Sequence, residues 1–292
     1  MTEQVLTGRL PSDVAPALPL SFALRLQKVG LNATLLAGLV LFGLVVLVAI
    51  AAPLLTPYDP IAQSLGDAFQ PPFSPDHPLG TDNFGRDIWS RILYSTRLDL
   101  QIGLFSVVFP FVFGSVIGIA SGYRGGWLDI LVMRVVDVLM AFPFLILVVA
   151  IMAILGPGLI NLYIAVGAAG WIPYARITRG ETLATRNLEY VQAARVIGCT
   201  TSRIMLHHIL PNVIAPSIVY VFTGMVLAIL FGATLSYLGL GPQPPTPEWG
   251  AMIAAGRQFL MNAWWMTALP GFALLVVGVA LSLIGDGLAE RR

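Results

Sequence analysis

Six stretches of this chain are long and apolar enough to cross a bilayer: residues 33–55, 100–120, 128–155, 159–177, 213–238 and 266–288. A hydrocarbon core of roughly 30 Å takes about 20 apolar residues per helix. Inside it every backbone N–H and C=O must find a partner within the segment. The runs therefore predict an all-α membrane protein with six transmembrane helices. Of its 292 residues 57% are hydrophobic and 11% charged, which excludes an ordinary soluble domain. Pro110 and Pro143 fall inside two of the runs and predict kinks that neighbouring helices satisfy.

Six crossings place both termini on one side, and the Lys/Arg distribution says which. With the termini inside, the inner segments carry Arg9, Arg25, Lys28, Arg124, Arg134, Arg176, Arg179, Arg186, Arg195, Arg203, Arg291 and Arg292. The outer segments carry only Arg86, Arg91, Arg97 and Arg257. The positive-inside rule then puts both termini in the cytoplasm. Residues 1–30, with Pro11, Pro16 and Pro19, read as a cytoplasmic tail rather than a secretory signal. Residues 31–55 hold the first span, and 56–99 an external segment with an interfacial helix. The core is 100–288, with five spans and a cytoplasmic loop at 178–211, and 289–292 form a cytoplasmic end. A net charge of +1 without a basic block excludes nucleic acid as a partner, and Cys199, the only cysteine, excludes an intrachain disulfide.

The loop contains Y-V-Q-A-A-R-V-I-G-C-T-T-S-R-I-M-L-H-H-I-L-P-N, from Tyr190 to Asn212. Leu188, Val191 and Ala194 recur at helical spacing while Gln192 and Arg195 fall off that face, which predicts a short amphipathic helix. Ala193 and Ala194 carry so little bulk that a partner surface has room to approach the backbone. Gly198 supplies the left-handed residue that ends a helix. Thr200, Thr201 or Ser202 caps a second helix that Pro211 closes or kinks. The plain alternative is a helix resting on headgroups, with Arg186, Arg195 and Arg203 as anchors. Ala193-Ala194, three residues, Gly198, eleven residues and Leu210-Pro211 resemble the coupling loop of ATP-binding-cassette importer permeases. Gln192 stands where that pattern has Glu, and His208 where it has Ile.

Two further segments carry a narrower resemblance. Residues 77–94 read H-P-L-G-T-D-N-F-G-R-D-I-W-S-R-I-L-Y, in which Thr81 or Asp82 caps a helix that gathers Ile88, Trp89, Ile92 and Leu93 on one face, with Trp89 and Tyr94 at headgroup depth. Leu79, Gly80, Thr81, Asp82, Gly85, Arg86 and Asp87 match a segment of the C-type permease subunits of the dipeptide, oligopeptide and nickel importer family. The Pro-stiffened run 236–250, the Gly285-Asp286-Gly287 end, and Gly125, Gly126, Asp129, Met133, Arg134 and Asp137 are similar to that family in the same order.

The resemblance implies the type I importer permease fold in a bacterial or archaeal cytoplasmic membrane. It implies a non-catalytic subunit paired with a homologous B-type permease, two ATPase subunits and an external solute-binding protein. The cargo it implies is di- or oligopeptides, or alternatively metal chelates such as nickel, or peptide or sugar conjugates. Lys28 is the only lysine and lies outside any Gly-x4-Gly-Lys phosphate loop, so no cofactor is expected in this chain, and ATP and Mg belong to the partners. Leu188, Val191, Gln192, Ala193, Ala194, Arg195, Gly198, Leu210 and Pro211 are the expected ATPase-coupling residues. The seven matched outer residues are expected at an external gate or docking face. Arg134 and Asp137, three apart in an apolar run, are expected to form an intramembrane charge pair. His77 is expected in an exposed loop, and His207 and His208 at the cytoplasmic interface, with no metal site. Two rival classes are a self-sufficient secondary transporter, with Asp137 as its coupling acid, and a membrane anchor for cytoplasmic enzymes.

Overall fold

The computed structural model describes residues 32–290, and within them the regular structure is helical, apart from two isolated bridges in the 74–87 segment. The tail 1–30 with Arg9, Arg25 and Lys28, and the terminal Arg291 and Arg292, lie outside the described residues. Helix α1 (Ala33–Leu55) begins where the Asn32 side chain accepts from the Leu35 N–H at 2.9 Å. It packs along the final helix, α11 (Trp265–Ala289), with Asn32 Nδ2 donating to the Gly287 carbonyl at 3.0 Å.

Helix α2 (Ile88–Arg124) runs unbroken for 37 residues, about 55 Å at helical rise. The expected interfacial helix and second span are thus one rod. Nothing between Asp87 and Pro110 breaks a helix, and the polar residues there are absorbed: Thr96 Oγ1 bonds back to the Ile92 carbonyl at 2.9 Å, and Arg97 reaches the carbonyls of Ala49 and Ile50 on α1. The cap is Asp87, because Thr81 and Asp82 are engaged elsewhere in the loop.

The kink expected at Pro143 in the span 128–155 is a full break between two helices, α3 (Gly126–Met140) and α4 (Phe144–Leu155), bent by 90°. Pro143 has no N–H to continue the ladder and forces Phe142 out of helical conformation. Helix α5 (Leu159–Thr185) extends past the expected end of its span into polar sequence. After the 178–211 loop come α9 (Ala215–Tyr237), the short helix α10 (Trp249–Gly256) and α11. By length and composition, four helices among the described residues qualify as spans, or five if the bent pair counts as one. Helix α5 carries Arg176, Arg179 and Glu181 in its last third and is not among them.

The most extensive helix contact joins α2 to α5. Gly114, Gly118 and Gly122 lie four residues apart on one face of α2, and a Cβ at Gly118 would collide with the Ala175 carbonyl and Thr178 hydroxyl of α5. This is small-xxx-small packing, in which the missing side chains let two backbones approach. Thr178 answers from α5, its hydroxyl within 2.8 Å of the Tyr174 carbonyl and 3.4 Å of that of Ser115. The main core lies around this pair, with Val148, Met152, Met225, Ile229 and Trp249 closing on Ile102, Leu162 and Val166.

Replacing Gly118 with Val should overpack that contact and cost about 1–3 kcal/mol. The check is the thermal unfolding midpoint of the purified protein in detergent. A midpoint equal to wild type would mean that the two helices separate freely.

Candidate functional site

At the outer end, the seven matched residues fold into a closed polar lock. The Asp82 carboxylate accepts from the N–H groups of Phe84 (2.8 Å) and Arg86 (3.0 Å) through Oδ1 and from Arg86 Nε (2.6 Å) through Oδ2, with Arg91 Nε at 3.8 Å. Asp87 holds the Ser90 N–H at 2.7 Å as the α2 cap, and its other oxygen meets His77 Nδ1 at 2.9 Å. Thr81 receives the Gln70 N–H, donates to the Asp67 carbonyl and offers its own carbonyl to Trp265 Nε1 at 3.0 Å. Gly80 accepts from the Ile88 N–H, and Leu79 packs on the main core. Gly85 sits at φ +70°, where a Cβ would run into the Ser64 backbone, so only glycine closes this turn.

Thr81, Asp82, Arg86 and Asp87 are all buried, so their side chains hold the loop to α2 and α11 rather than face outward. His77 is also buried, which corrects its expected place in an exposed loop: the Asp87 carboxylate draws it in against the Tyr58 ring.

At the opposite end, the 178–211 loop builds a second, smaller core. Helix α6 (Glu189–Val196) seats Val191 and Ala194, 0% and 3% exposed, on Ile119 of α2 and on Ile204, Ile209 and Val213. Gly198 takes φ +82° and donates to the Arg195 carbonyl, while Cys199 donates to that of Ala194. These two bonds are a Schellman ending, with the Cys199 side chain against the same core. Thr200 caps α7 (Thr201–Arg203), its hydroxyl accepting the Arg203 N–H at 3.4 Å.

Pro211 neither closes nor ends the next segment. It starts the short helix α8 (Leu210–Val213), preceded by a π-helical turn at Ile204–Ile209. A proline at 211 leaves the His207 carbonyl without its helical donor, and the chain widens there. His208 offers its carbonyl to Asn212 Nδ2 at 2.7 Å, and Leu210 packs beneath.

The faces of α6 differ from expectation at two positions. Ala194 points into the protein's own core, so the room it leaves is already filled; Ala193 and Gln192 are exposed. Leu188, at the helix start, is half exposed rather than buried. Arg195 lies over the Tyr123 ring and donates to its hydroxyl at 3.2 Å, which fixes the helix to the foot of α2. Apolar side chains stand outward at the end of the helix: Val196 is 87% and Ile197 79% exposed, and Leu206, nine residues on in the π turn, is 58% exposed. Spacing did not single out these three. Their sequence signal is apolar residues standing on the polar side of an amphipathic pattern.

The expected Arg134–Asp137 pair does not form. Asp137 Oδ1 meets Arg176 of α5 at 2.7 Å, and Arg134 is exposed and enters no ion pair among the described residues. The close helix α5 presents a guanidinium to the carboxylate, whereas an i,i+3 pair on α3 must bend along one surface. About two turns earlier on α3, Asp129 is held by Arg179 through two bonds of 2.5 and 2.7 Å. These bridges tie α3 to α5, one near its start and one in its last turn before the 90° bend.

Comparison with known proteins gives a consistent result. The family model for "Binding-protein-dependent transport system inner membrane component" matches residues 114–292, and that for "N-terminal TM domain of oligopeptide transport permease C" matches 32–72. A dipeptide transport system permease protein of Alkalihalophilus pseudofirmus is 42% identical over 89% of this chain and 85% of its own. A di/tripeptide transport system permease protein of Pseudomonas aeruginosa is 42% identical over 90% and 89%. A glutathione transport system permease protein of Pectobacterium atrosepticum is 39% identical over 85% and 82%. Among solved structures, a chain of the MetNI methionine ABC transporter in an inward facing conformation shares the fold with a TM-score of 0.56 at 18% identity, covering 70% of this chain and 97% of that one.

Asp82→Ala would leave Arg86 and Arg91 buried without their carboxylate and should destabilise by about 3–5 kcal/mol. Asp82→Asn, which keeps an acceptor for the two N–H groups, should cost less. Thermal unfolding of the two variants separates the cases, and equal midpoints would remove the ion pair from the account.

Proposed function

The chain belongs to the binding-protein-dependent transport system inner membrane components, and on that premise we propose that it is the C-type permease subunit of an ATP-driven importer of di- or oligopeptides. The observation that carries the reading is the apolar, outward-facing surface at the end of α6, held on a rigid seat at the foot of the longest helix. Relatives at 42% identity over about nine tenths of the chain bear dipeptide and di/tripeptide transport names, which supports peptides as cargo.

In this reading the protein spans the membrane six times with both termini in the cytoplasm, α5 being the sixth crossing. It pairs with a homologous B-type permease, two ATPase subunits bind ATP and Mg on the cytoplasmic side, and an external binding protein delivers cargo. The chain's own work is mechanical. The Val191 and Ala194 side chains lock α6 to Ile119 and Ile204, so a push on α6 moves α2 rather than rolling the short helix on its base. The Schellman ending and the π turn fix the direction in which Val196, Ile197 and Leu206 face. Alternating access then follows as the bundle tilts between two states that nucleotide binds unequally.

The test is reconstitution of the complex in vesicles with its binding protein, measuring ATP hydrolysis and uptake with dipeptides, tripeptides and nickel chelates. Peptide-stimulated hydrolysis with peptide accumulation is the expected result; stimulation by chelates alone overturns the cargo. Ala193→Trp and Ile197→Asp should each lower peptide-stimulated hydrolysis by at least about tenfold with membrane insertion intact, because they alter the docking face. Ala194→Trp should instead reduce folded protein, since it pries α6 from its seat. If the two classes of variant behave alike, the assignment of faces is wrong.

A further inference from the structure

Between α2, α4, α5 and α9, at membrane depth, lies a cavity of about 230 Å³. An apolar cavity of about 150 Å³ holds a benzene ring, so this one has room for a single aromatic or branched side chain. Its wall is mostly apolar, with Phe144, Tyr220 and Phe231 among the lining. Two polar groups break that pattern. Ser106 and Tyr174 are 1% and 2% exposed, both line the cavity, and neither hydroxyl has a hydrogen-bond partner.

Pro110 and Pro173 both line the cavity, and both stand inside helices that continue through them. A proline supplies no N–H to the carbonyl four residues before it, which frees the carbonyl of Ser106, a lining residue. The cavity therefore combines an apolar body with hydroxyl donors and a carbonyl acceptor. A lipid tail fills such a space but satisfies none of these groups, and unsatisfied polar groups in hydrocarbon cost several kcal/mol each, on the order given for buried amides. A guest with an apolar side chain attached to an amide satisfies both.

Beside the cavity on α5, Arg176 follows Pro173 by three residues, about 60° further round the helix. Its side chain and that of its partner Asp137 are about half exposed. Charges left half open in a membrane helix face water or another protein, not lipid. A path or subunit face thus borders the cavity.

We propose that this cavity is a side-chain subsite on the translocation path, receiving one apolar or aromatic side chain of the passing peptide while the Ser106 and Tyr174 hydroxyls and the freed Ser106 carbonyl bond to its flanking amide. The proposal rests on the peptide-importer reading. It assigns this permease a share in cargo selection in addition to that of the external protein. Small side chains leave the subsite underfilled, so the discrimination it exerts is by size.

The test uses the full complex reconstituted with its binding protein. A radiolabelled diphenylalanine and a radiolabelled dialanine are compared in wild type and in Ser106→Leu, which fills the cavity with a branched apolar group. The ratio of diphenylalanine to dialanine uptake is expected to fall at least about tenfold, since loss of the Ser106 hydroxyl weakens both peptides alike and only the filled cavity tells them apart. A parallel fall for both peptides, or no fall, overturns the subsite. As a second measurement that needs no variant, a dipeptide bearing benzoylphenylalanine is photolysed on the turning-over wild-type complex. Labels at 106–110 or 170–174 that diphenylalanine competes away support the subsite. Labels confined elsewhere, or an acyl chain held in the cavity in their place, overturn it. Wild-type complex that accumulates no peptide at all brings down the importer reading itself, an outcome distinct from loss of size discrimination alone.

Discussion

The close approach of α2 and α5 is the contact on which the other parts rest. With glycine at 114, 118 and 122, the two backbones pack without intervening side chains, and Thr178 bonds across the gap. In a bilayer no hydrophobic force draws helices together, so such packing and the hydrogen bonds it permits supply the cohesion. The main core closes around the upper half of this pair, and the smaller cytoplasmic core gathers at its foot through Ile119. The salt bridges from α3 to Arg176 and Arg179 then secure the bent helix to the same support.

The two polar ends serve opposite purposes with similar chemistry. At the outer end nearly every donor and acceptor of residues 79–87 is consumed internally, which makes the lock stiff. At the inner end polar groups fix a helix whose apolar face is left uncovered, Arg195 against Tyr123 being the clearest case. A buried ion pair contributes little net stability but makes alternatives costly, because separating its partners strands a charge. That suits a loop that must keep one shape while the helices it joins are loaded from either side.

Much of this was legible in the sequence. Apolar run length located α1, α9 and α11 nearly to the residue, because hydrocarbon thickness acts on local composition. Gly198 read correctly as a helix end and the run Thr200, Thr201, Ser202 as a helix start for the same reason, both being decided within a few residues; Thr200 is the member of the run that caps. Choices among equivalent neighbours were not legible. Thr81 and Asp82 were the expected caps of α2, and Asp87, which was not among them, is the cap while Asp82 is taken by Arg86. Asp137 chose Arg176 over Arg134 through a tertiary contact that periodicity does not carry. Ala193 and Ala194 are chemically identical, and what lies behind the helix decides which is buried. The spacing of Gly114, Gly118 and Gly122 on α2 was a local signal of helix packing that the sequence reading did not take up, and it marks the most extensive helix contact among the described residues.

The unbroken length of α2 has a consequence for how the two sides of the membrane communicate. Its first turn is capped inside the outer lock and its last turns carry Ile119 and Tyr123 of the inner seat, with Pro110 between them. The helix is a lever whose two ends belong to different compartments. Any preference that an outer partner has for one tilt becomes, by reciprocity of binding free energies, an equal preference at the inner end. Under the proposed function, a binding protein carrying cargo and a nucleotide poised in an ATPase would read a single mechanical coordinate from opposite ends.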